Sequence, residues 1–501
     1  MRRALAILLS ALVLLVAGCG GGDDSGSALG DALAYLPKDT PFAVAIDTDV
    51  EGDQYRALGD VIDRFPFSDQ IKSTIVQRLE RASGGLSFDD DIKPVLGNPV
   101  VVGPGNAGAV SDDSNSFVVA ARAKDKGALD DLIDELNLKE VGDASGATIY
   151  RSADSFVAVK DDMVVSASDE ARLKAALERA DGDDHLDEDT FNRSIDGLPD
   201  GALARVYTNI EALLENDPGS VDARKVKWIA ALTTLGLTVN AKSDSVDVDF
   251  RARTDGDLTD EDLPIAPGDE APPIVERPGE VGVGIRDLAH IVRFAENAGQ
   301  AINPAGFGDY ARAKATIDKQ LGVSLDDDLI GQLTGNLAAS VALDRGFGLR
   351  SELKDPEAFR RTLAKVADVL PSFAEGAGFG RLTLTKPGAG ADFYVLRRPD
   401  GASVVFGVKD DALVVASSVA RAAAVASADP TDVPGASGSL VVGADAERLA
   451  GSALRRFGST LGIGDLGALG TGLLTRPLGD LNGSVSSSTS ELRGRFTLTI
   501  D

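Results

Sequence analysis

The chain repeats itself, and that narrows its architecture more than any other feature. VKDDMVVSASDEAR (Val159–Arg172) returns as VKDDALVVASSVAR (Val408–Arg421), 249 residues later. LSFDDDIKPVLGN (Leu86–Asn98) returns as VSLDDDLIGQLTGN (Val323–Asn336) at an offset of 237 to 238, and TVNAKSDSVDVDFRARTD (Thr238–Asp255) returns as SVSSSTSELRGRFTLTID (Ser484–Asp501) at 246. Three matches in one order at nearly constant spacing predict a tandem duplication of one domain of about 225 residues. The acidic, Pro-rich stretch Gly256–Pro273 reads as the linker, which sets the domains at 32–255 and 274–501.

Within the first copy the hydrophobic period alternates between two and 3.6. Strands are predicted at Phe42–Asp47, Asn98–Gly103 and Ser116–Ala123, with helices over Tyr55–Phe65, Ser68–Ala82 and Lys126–Leu136. ATIYRS, SFVAVK and MVVSAS follow as three strands, the last two joined through Asp161 and Asp162, since Asp tolerates left-handed backbone in a tight turn. Ser168 is placed to cap a helix with Asp169 and Glu170 in its first turn. One more strand at Ala202–Thr208, a helical stretch around Trp228 and a hairpin over Leu237–Arg253 complete the copy. Short turns between neighbouring strands mean antiparallel sheet, so the fold class is α+β, with helices covering the sheet faces.

The N-terminus reads as an address. Arg2 and Arg3 precede an apolar run from Ala4 to Ala17, then Val16, Ala17, Gly18 and Cys19 form a lipobox-like end to a signal peptide of residues 1–18. The run is too short for a stable membrane helix. The lone cysteine of the chain stands where lipidation needs it, so Cys19 is the expected lipidation site. Residues 19–31, beginning GGGDDSGS after Cys19, then form a flexible tether. The expected location is extracytoplasmic, with the protein lipid-anchored to the outer face of the cell membrane.

The opening ALAYLPKDTPFAVAID (Ala32–Asp47), the segment SFDDDIKPVLG (Ser87–Gly97), and the strand–turn–strand unit leading into a helix ending KAALERA (Lys174–Ala180) resemble a family of uncharacterised secreted bacterial proteins. That family is known as a domain of unknown function, common in high-GC Gram-positive bacteria. The resemblance implies a secreted envelope protein and carries over no catalytic residue.

Chemistry is sparse. With 50 Lys plus Arg against 79 Asp plus Glu, the net charge of −29 repels nucleic acid. His185 and His290 with one cysteine cannot build a His- or Cys-rich metal site. The triplets Asp89–Asp91 and Asp326–Asp328 could hold a cation or act as acid and base. Capping explains them better, because adjacent residues on a helix point in different directions and cannot converge on one ion. Asp47–Asp53 imitates the start of an EF-hand loop, but Leu58 stands where the bidentate Glu belongs. The loop Asp181–Asp189, with His185, matches no calcium cage and reads as solvated. Ser351–Lys354 (SELK) fits S-x-x-K but lacks its partner motifs, and Gly282-Val-Gly284 lacks the third glycine of a dinucleotide site. His290 falls on a helix face. The apolar, Gly-rich Gly458–Leu474 reads as a core helix weakened by glycine, or as a lid over a lipid cavity.

The expectation is therefore an envelope lipoprotein with no catalytic residue, metal or cofactor. It would act as a non-enzymatic binding or structural module, with membrane, an envelope protein or a lipid as its partners. The alternative is a carrier or sensor of an apolar ligand.

Overall fold

The computed structural model describes residues 25–106, 117–152, 155–275, 277, 279–342, 346–376, 381–388, 392–457, 472–473 and 475–501. The signal peptide, Cys19 and nearly all of Gly458–Leu474 lie outside the described residues. The chain divides into two compact units: residues 1–220, 232–254 and 499–501 form unit 1, and residues 221–231 and 255–498 form unit 2. Each combines helices with antiparallel sheet, the α+β class.

In unit 1, α1 (Ser25–Leu33), β1 (Phe42–Ile46), α2 (Asp53–Asp63) and α3 (Ser68–Ala82) precede β2 (Val100–Pro104), β3 (Phe117–Arg122) and α4 (Lys126–Leu136). Then come β4 (Lys139–Ala144), β5 (Ala147–Arg151), β6 (Phe156–Lys160), β7 (Met163–Ala167), α5 (Glu170–Ala180) and α6 (Glu188–Ile195). β8 (Ala204–Asn209), α7 (Ile210–Asn216), β9 (Leu232–Lys242) and β10 (Ser245–Thr254) finish it. The strands lie in the order β10-β9-β8-β1-β2-β3-β7-β6-β5-β4, every neighbour antiparallel.

Successive strand side chains point to opposite faces, and the middle of this sheet buries both. Val118 and Ala120 join Leu29, Leu33, Leu173 and Phe191 on the side of α1, α5 and α6, whereas Val119 joins Leu129, Leu132 and Ile133 on the side of α4. That is why FVVAA and VVVG read as continuous apolar runs and not as alternation. Gly236 in β9 lets the end of α6 approach, since a Cβ there would stand 2.1 Å from the Ser194 carbonyl oxygen.

Four readings of the sequence need correction. Residues 25–31, assigned to the tether, belong to α1, because Ala28, Leu29, Ala32 and Leu33 recur at helical spacing and are buried. The α5 cap is Asp169, whose side chain accepts the Arg172 N–H, while Ser168 bonds the Arg172 guanidinium. β4 was not foreseen: KEVGDA is exposed along nearly its whole length and pairs only with β5, so it carries no apolar signal. Finally, the assigned linker is packed into unit 2, with Leu263, Ile265 and Ala266 buried. The Asp161 turn is as expected, with φ of 54°.

Unit 2 opens with the short α8 (Lys227–Ala231) around Trp228, then β11 (Val281–Ile285), α9 (Leu288–Ile302), α10 (Pro304–Leu321) and α11 (Leu325–Asp328). β12 (Leu337–Ala342), β13 (Gly346–Glu352) and α12 (Pro356–Gly376) precede β14 (Thr383–Thr385), β15 (Phe393–Arg397), β16 (Ser403–Lys409) and β17 (Ala412–Ala416). α13 (Val419–Ala426), β18 (Leu440–Asp445), α14 (Ala446–Phe457), β19 (Leu478–Ser487) and β20 (Glu491–Ile500) follow. The strand order is β20-β19-β18-β11-β12-β13-β17-β16-β15-β14. Phe359, Leu363 and Ala367 of α12 pack with Phe406 and Val408, while Ala422 of α13 packs with Val405 and Val414 on the other face.

The sharpest polar feature of unit 2 is a buried ion pair. Glu280 is 2 % exposed, and its Oε1 lies 2.5 Å from Arg421 Nη1. Ser340 Oγ donates to Oε2, and Arg421 Nη2 donates to the Ser340 carbonyl at 3.1 Å. Glu280 precedes β11 and Arg421 lies in α13, so the pair ties the middle of the sheet to a covering helix.

Candidate functional site

α2 and α3 of unit 1 are amphipathic, and their apolar faces are only partly covered. Tyr55, Leu58 and Ile62 recur at three- and four-residue spacing on α2, and Ile71, Ile75 and Leu79 at four on α3. All but Leu79 are half-exposed. Between these helices, the end of β1 and the turn at Phe88 lies a cleft of about 800 Å³, within the usual range of roughly 300–1,000 Å³ for small-molecule sites. Four residues of its lining, Ile46, Asp47, Thr48 and Leu79, are buried.

Asp47 is the buried acid of that lining. Its Oδ1 accepts the Asp49 N–H at 2.9 Å. Burial pushes its carboxyl up to about 6, against the opposing pull of that hydrogen bond and of the Arg205 guanidinium. Thr48 is fixed beside it, its hydroxyl donating to the Asn98 carbonyl at 2.7 Å and accepting the Gly97 N–H at 3.0 Å. Four cations, Arg56, Lys72, Arg78 and Lys93, also line the cleft, as does Asp89.

The residues singled out in the sequence fall elsewhere or do structural work. In the first triplet Ser87 Oγ accepts the Asp90 N–H at 3.2 Å, Asp91 accepts the Ser87 N–H at 2.6 Å, and Glu80 of α3 accepts the Phe88 N–H at 3.3 Å. The second repeats this with Ser324 and Asp327, Asp328 and Ser324, and Asp318 of α10 and Leu325, at 3.1, 2.9 and 2.9 Å. Both triplets are helix starts whose carboxylates satisfy backbone donors. Ser87→Ala and Ser324→Ala should each lower stability by about 1 kcal/mol in a urea titration, and an unchanged midpoint would remove the cap from this account.

Asp47–Asp53 is a pair of Asx turns, Asp49 accepting the Glu51 N–H, and Leu58 is a helical residue of α2. In Asp181–Asp189, Asp187 caps α6, Asp181 pairs with Lys160 at 2.7 Å, and His185 Nδ1 contacts the Gly182 carbonyl at 2.9 Å. Ser351 is buried in β13 while Lys354 is exposed beyond it, so SELK forms no joint site. Gly282 and Gly284 let the chain at 272–275 lie against β11, since a Cβ on Gly284 would stand 2.6 Å from the Pro273 carbonyl oxygen. His290 Nε2 donates to the Leu263 carbonyl at 2.8 Å and so fastens the stretch read as a linker. Among the described residues no group of three or more His, Cys, Asp or Glu could hold a metal ion, and no helix is long and apolar enough to cross a membrane.

The cleft is what sequence reading missed. The helical periodicity of α2 and α3 was legible, but an apolar face with cover and one without it have the same spacing.

No curated protein matches the sequence. Solved structures give slight likenesses only: "Structure of crystal form III of TP0453" at 10 % identity and a TM-score of 0.26, over 46 % of this chain and 81 % of that one, and "Structure of crystal form IV of TP0453" at 11 % and 0.26, over 46 % and 83 %. The family comparison is of another order. Both the acid-capped turns and all of unit 1's strands lie within residues 4–370, which match the family described as "Protein of unknown function (DUF3352)", and the chain belongs to that family.

Proposed function

We propose that this protein is a non-enzymatic, extracytoplasmic envelope lipoprotein, anchored through Cys19 and built from two copies of one α+β domain. Its first copy binds an apolar ligand in the α2–α3 cleft. The cleft carries the reading: it is lined by half-exposed aliphatic side chains of two neighbouring helices, the kind of lining by which apolar molecules are held. Of the two roles open from the sequence, structural envelope module and apolar-ligand carrier, this feature favours the carrier.

Duplication is supported by the strand order, which in unit 2 is that of unit 1 with each strand number raised by ten. It is supported again by the twice-used Ser–Asp cap and by Asp161 and Asp410, 249 residues apart, with φ of 54° and 53° in matching turns. Anchoring rests on the order Arg2, Arg3, apolar run, Val16-Ala17-Gly18-Cys19.

The test is native mass spectrometry of residues 20–501 expressed without lipidation. A co-purified amphiphile at one per chain is expected, removable by organic extraction and lost in Ile75→Glu. A ligand-free mass from cells rich in lipid would sink the carrier role.

A further inference from the structure

We propose that the occupant of the α2–α3 cleft is a single-chain amphiphile with an anionic headgroup, its chain among the aliphatic side chains and its head at the basic rim. This rests on the apolar-ligand reading above and names the ligand's class.

The chain as a whole carries 79 acids against 50 bases, yet the cleft is lined by four cations and two acids. The cations come from three separate elements: Arg56 from α2, Lys72 and Arg78 from α3, and Lys93 from the turn after the acidic triplet. They are also the accessible part of the lining: Arg56 and Arg78 are exposed and Lys72 and Lys93 half-buried, whereas Ile46, Thr48 and Leu79 are buried. Asp47 is buried with them, so an anionic head would meet a carboxylate in the buried lining and four cations against Asp89 alone in the accessible one. Charge and depth therefore give the ligand one orientation.

The rim cations can turn to a ligand at little cost. Lys72 pairs with Asp63 at 2.7 Å, Lys93 with Glu51 at 3.2 Å, and Arg56 with its neighbour Asp53, all solvent-exposed pairs of the kind worth about 0–1 kcal/mol. Arg78 pairs with no acid among the described residues.

Unit 2 treats the matching helix pair differently. Asp318 does in α10 what Glu80 does in α3, accepting the first N–H of the acidic turn, so Lys314 stands where Val76 stands, four residues earlier. Lys314 is bound to Glu296 of α9 at 2.9 Å, to Asp326, and lies over the Tyr310 ring. There a polar cluster bridges the two helices, whereas Val76 lines the cleft in unit 1. One ligand per chain follows.

The experiment is isothermal titration of residues 20–501, which include every described residue, with three probes of equal chain length: dodecanoate, dodecanol and dodecyltrimethylammonium. Dodecanoate should bind one per chain, at least tenfold more tightly than either of the others. Lys72→Gln/Arg78→Gln/Lys93→Gln should reduce that preference below threefold, with dodecanoate affinity falling far more than dodecanol affinity. Equal affinity for the three probes, or preference for the cation, overturns the headgroup inference and leaves the apolar site standing. No binding of any probe overturns both. Binding to phosphatidylglycerol vesicles without binding of monomeric dodecanoate overturns the single-chain occupant.

Discussion

Arg421→Met should lower the free energy of unfolding at pH 7 by about 3–5 kcal/mol, the range for removing one partner of a buried ion pair. The Glu280 side chain is 1 % exposed and that of Arg421 10 %, so neither can recover its hydration when the other leaves. Burial alone would raise the Glu280 carboxyl, but the hydrogen bonds from Arg421 and Ser340 outweigh it and hold the group below the ordinary glutamate value. A carboxyl lowered in the folded state contributes stability above its unfolded value of about 4.3 and loses it as pH falls through the folded value. Without Arg421 the sign reverses: Glu280 keeps the Ser340 hydroxyl and Arg277 Nε at 3.7 Å, too little to offset its burial, so its carboxyl is raised and stability then falls as pH climbs through that value. The gap between wild type and variant should accordingly be widest at neutral pH and shrink towards pH 4. Glu280→Leu/Arg421→Met should recover most of the loss, because no fully buried charge is then stranded, Arg277 beside Glu280 being 35 % exposed. Urea titrations at pH 4, 5, 6 and 7 read all three effects, and a loss below 1 kcal/mol at pH 7 would show that the pair is not desolvated as described. Arg172, 249 residues earlier, gives the contrast. It is less buried and binds Ser168 and Asp169, and Pro41 precedes β1 where Glu280 precedes β11, so Arg172→Met should cost about 1 kcal/mol.

That pair also marks a limit of sequence reading. Glu280 and Arg421 are 141 residues apart, and nothing local to either says that they meet. Strands whose side chains pack on a core were legible because burial writes itself into composition. Val100, Val101 and Val102 form one such run, and Met163, Val164 and Val165 another. Their order was not legible, since β1 pairs with β8 and β3 with β7 across long stretches of chain. β4 escaped for the opposite reason: an exposed edge strand makes its backbone bonds without apolar side chains, and Lys139, Glu140 and Asp143 are what such edges carry. α1 was hidden by composition, the glycines and aspartates of 20–24 masking a helix that begins one residue later. Asp169 and Ser168 are both good caps, and only the extended backbone at Asp169, φ −140° and ψ 158°, decides between them. The stretch 256–273 reads as a linker by its acids and prolines, yet Leu263, Ile265 and Ala266 within it are buried and His290 holds the Leu263 carbonyl.

Cys19→Ala should convert the proposed anchored protein into one that is released or left unprocessed, an all-or-none change in location with no change in the folded units. The thiol is the atom that would carry the diacylglyceryl thioether, and the chain has no second cysteine to substitute for it. Electrostatics cannot replace the lipid. Cleavage after residue 18 removes Arg2 and Arg3 and no acid, so the net charge of −29 becomes −31, and an anionic leaflet repels such a body. No helix among the described residues is long and apolar enough to cross a bilayer. One acyl chain gives only marginal binding, with an association constant of about 10⁴ M⁻¹, whereas two anchor stably, so the proposed thioether-linked pair is enough to hold the protein. Fractionation of cells expressing wild type and Cys19→Ala, with intact masses of both, reads the outcome. Wild type should stay with the membrane at the mass of residues 19–501 plus its acyl groups. The variant should appear in the soluble fraction, or in the membrane at the mass of the uncut chain. Because α1 of unit 1 begins at Ser25, six residues past the cysteine, the proposed anchor would hold that helix near the bilayer, and a protease should cut between Cys19 and Ser25 far more slowly in the wild type on intact membranes than in the released variant. Equal membrane retention and equal mass for the two proteins would refute the anchor and return Cys19 to an accident of composition.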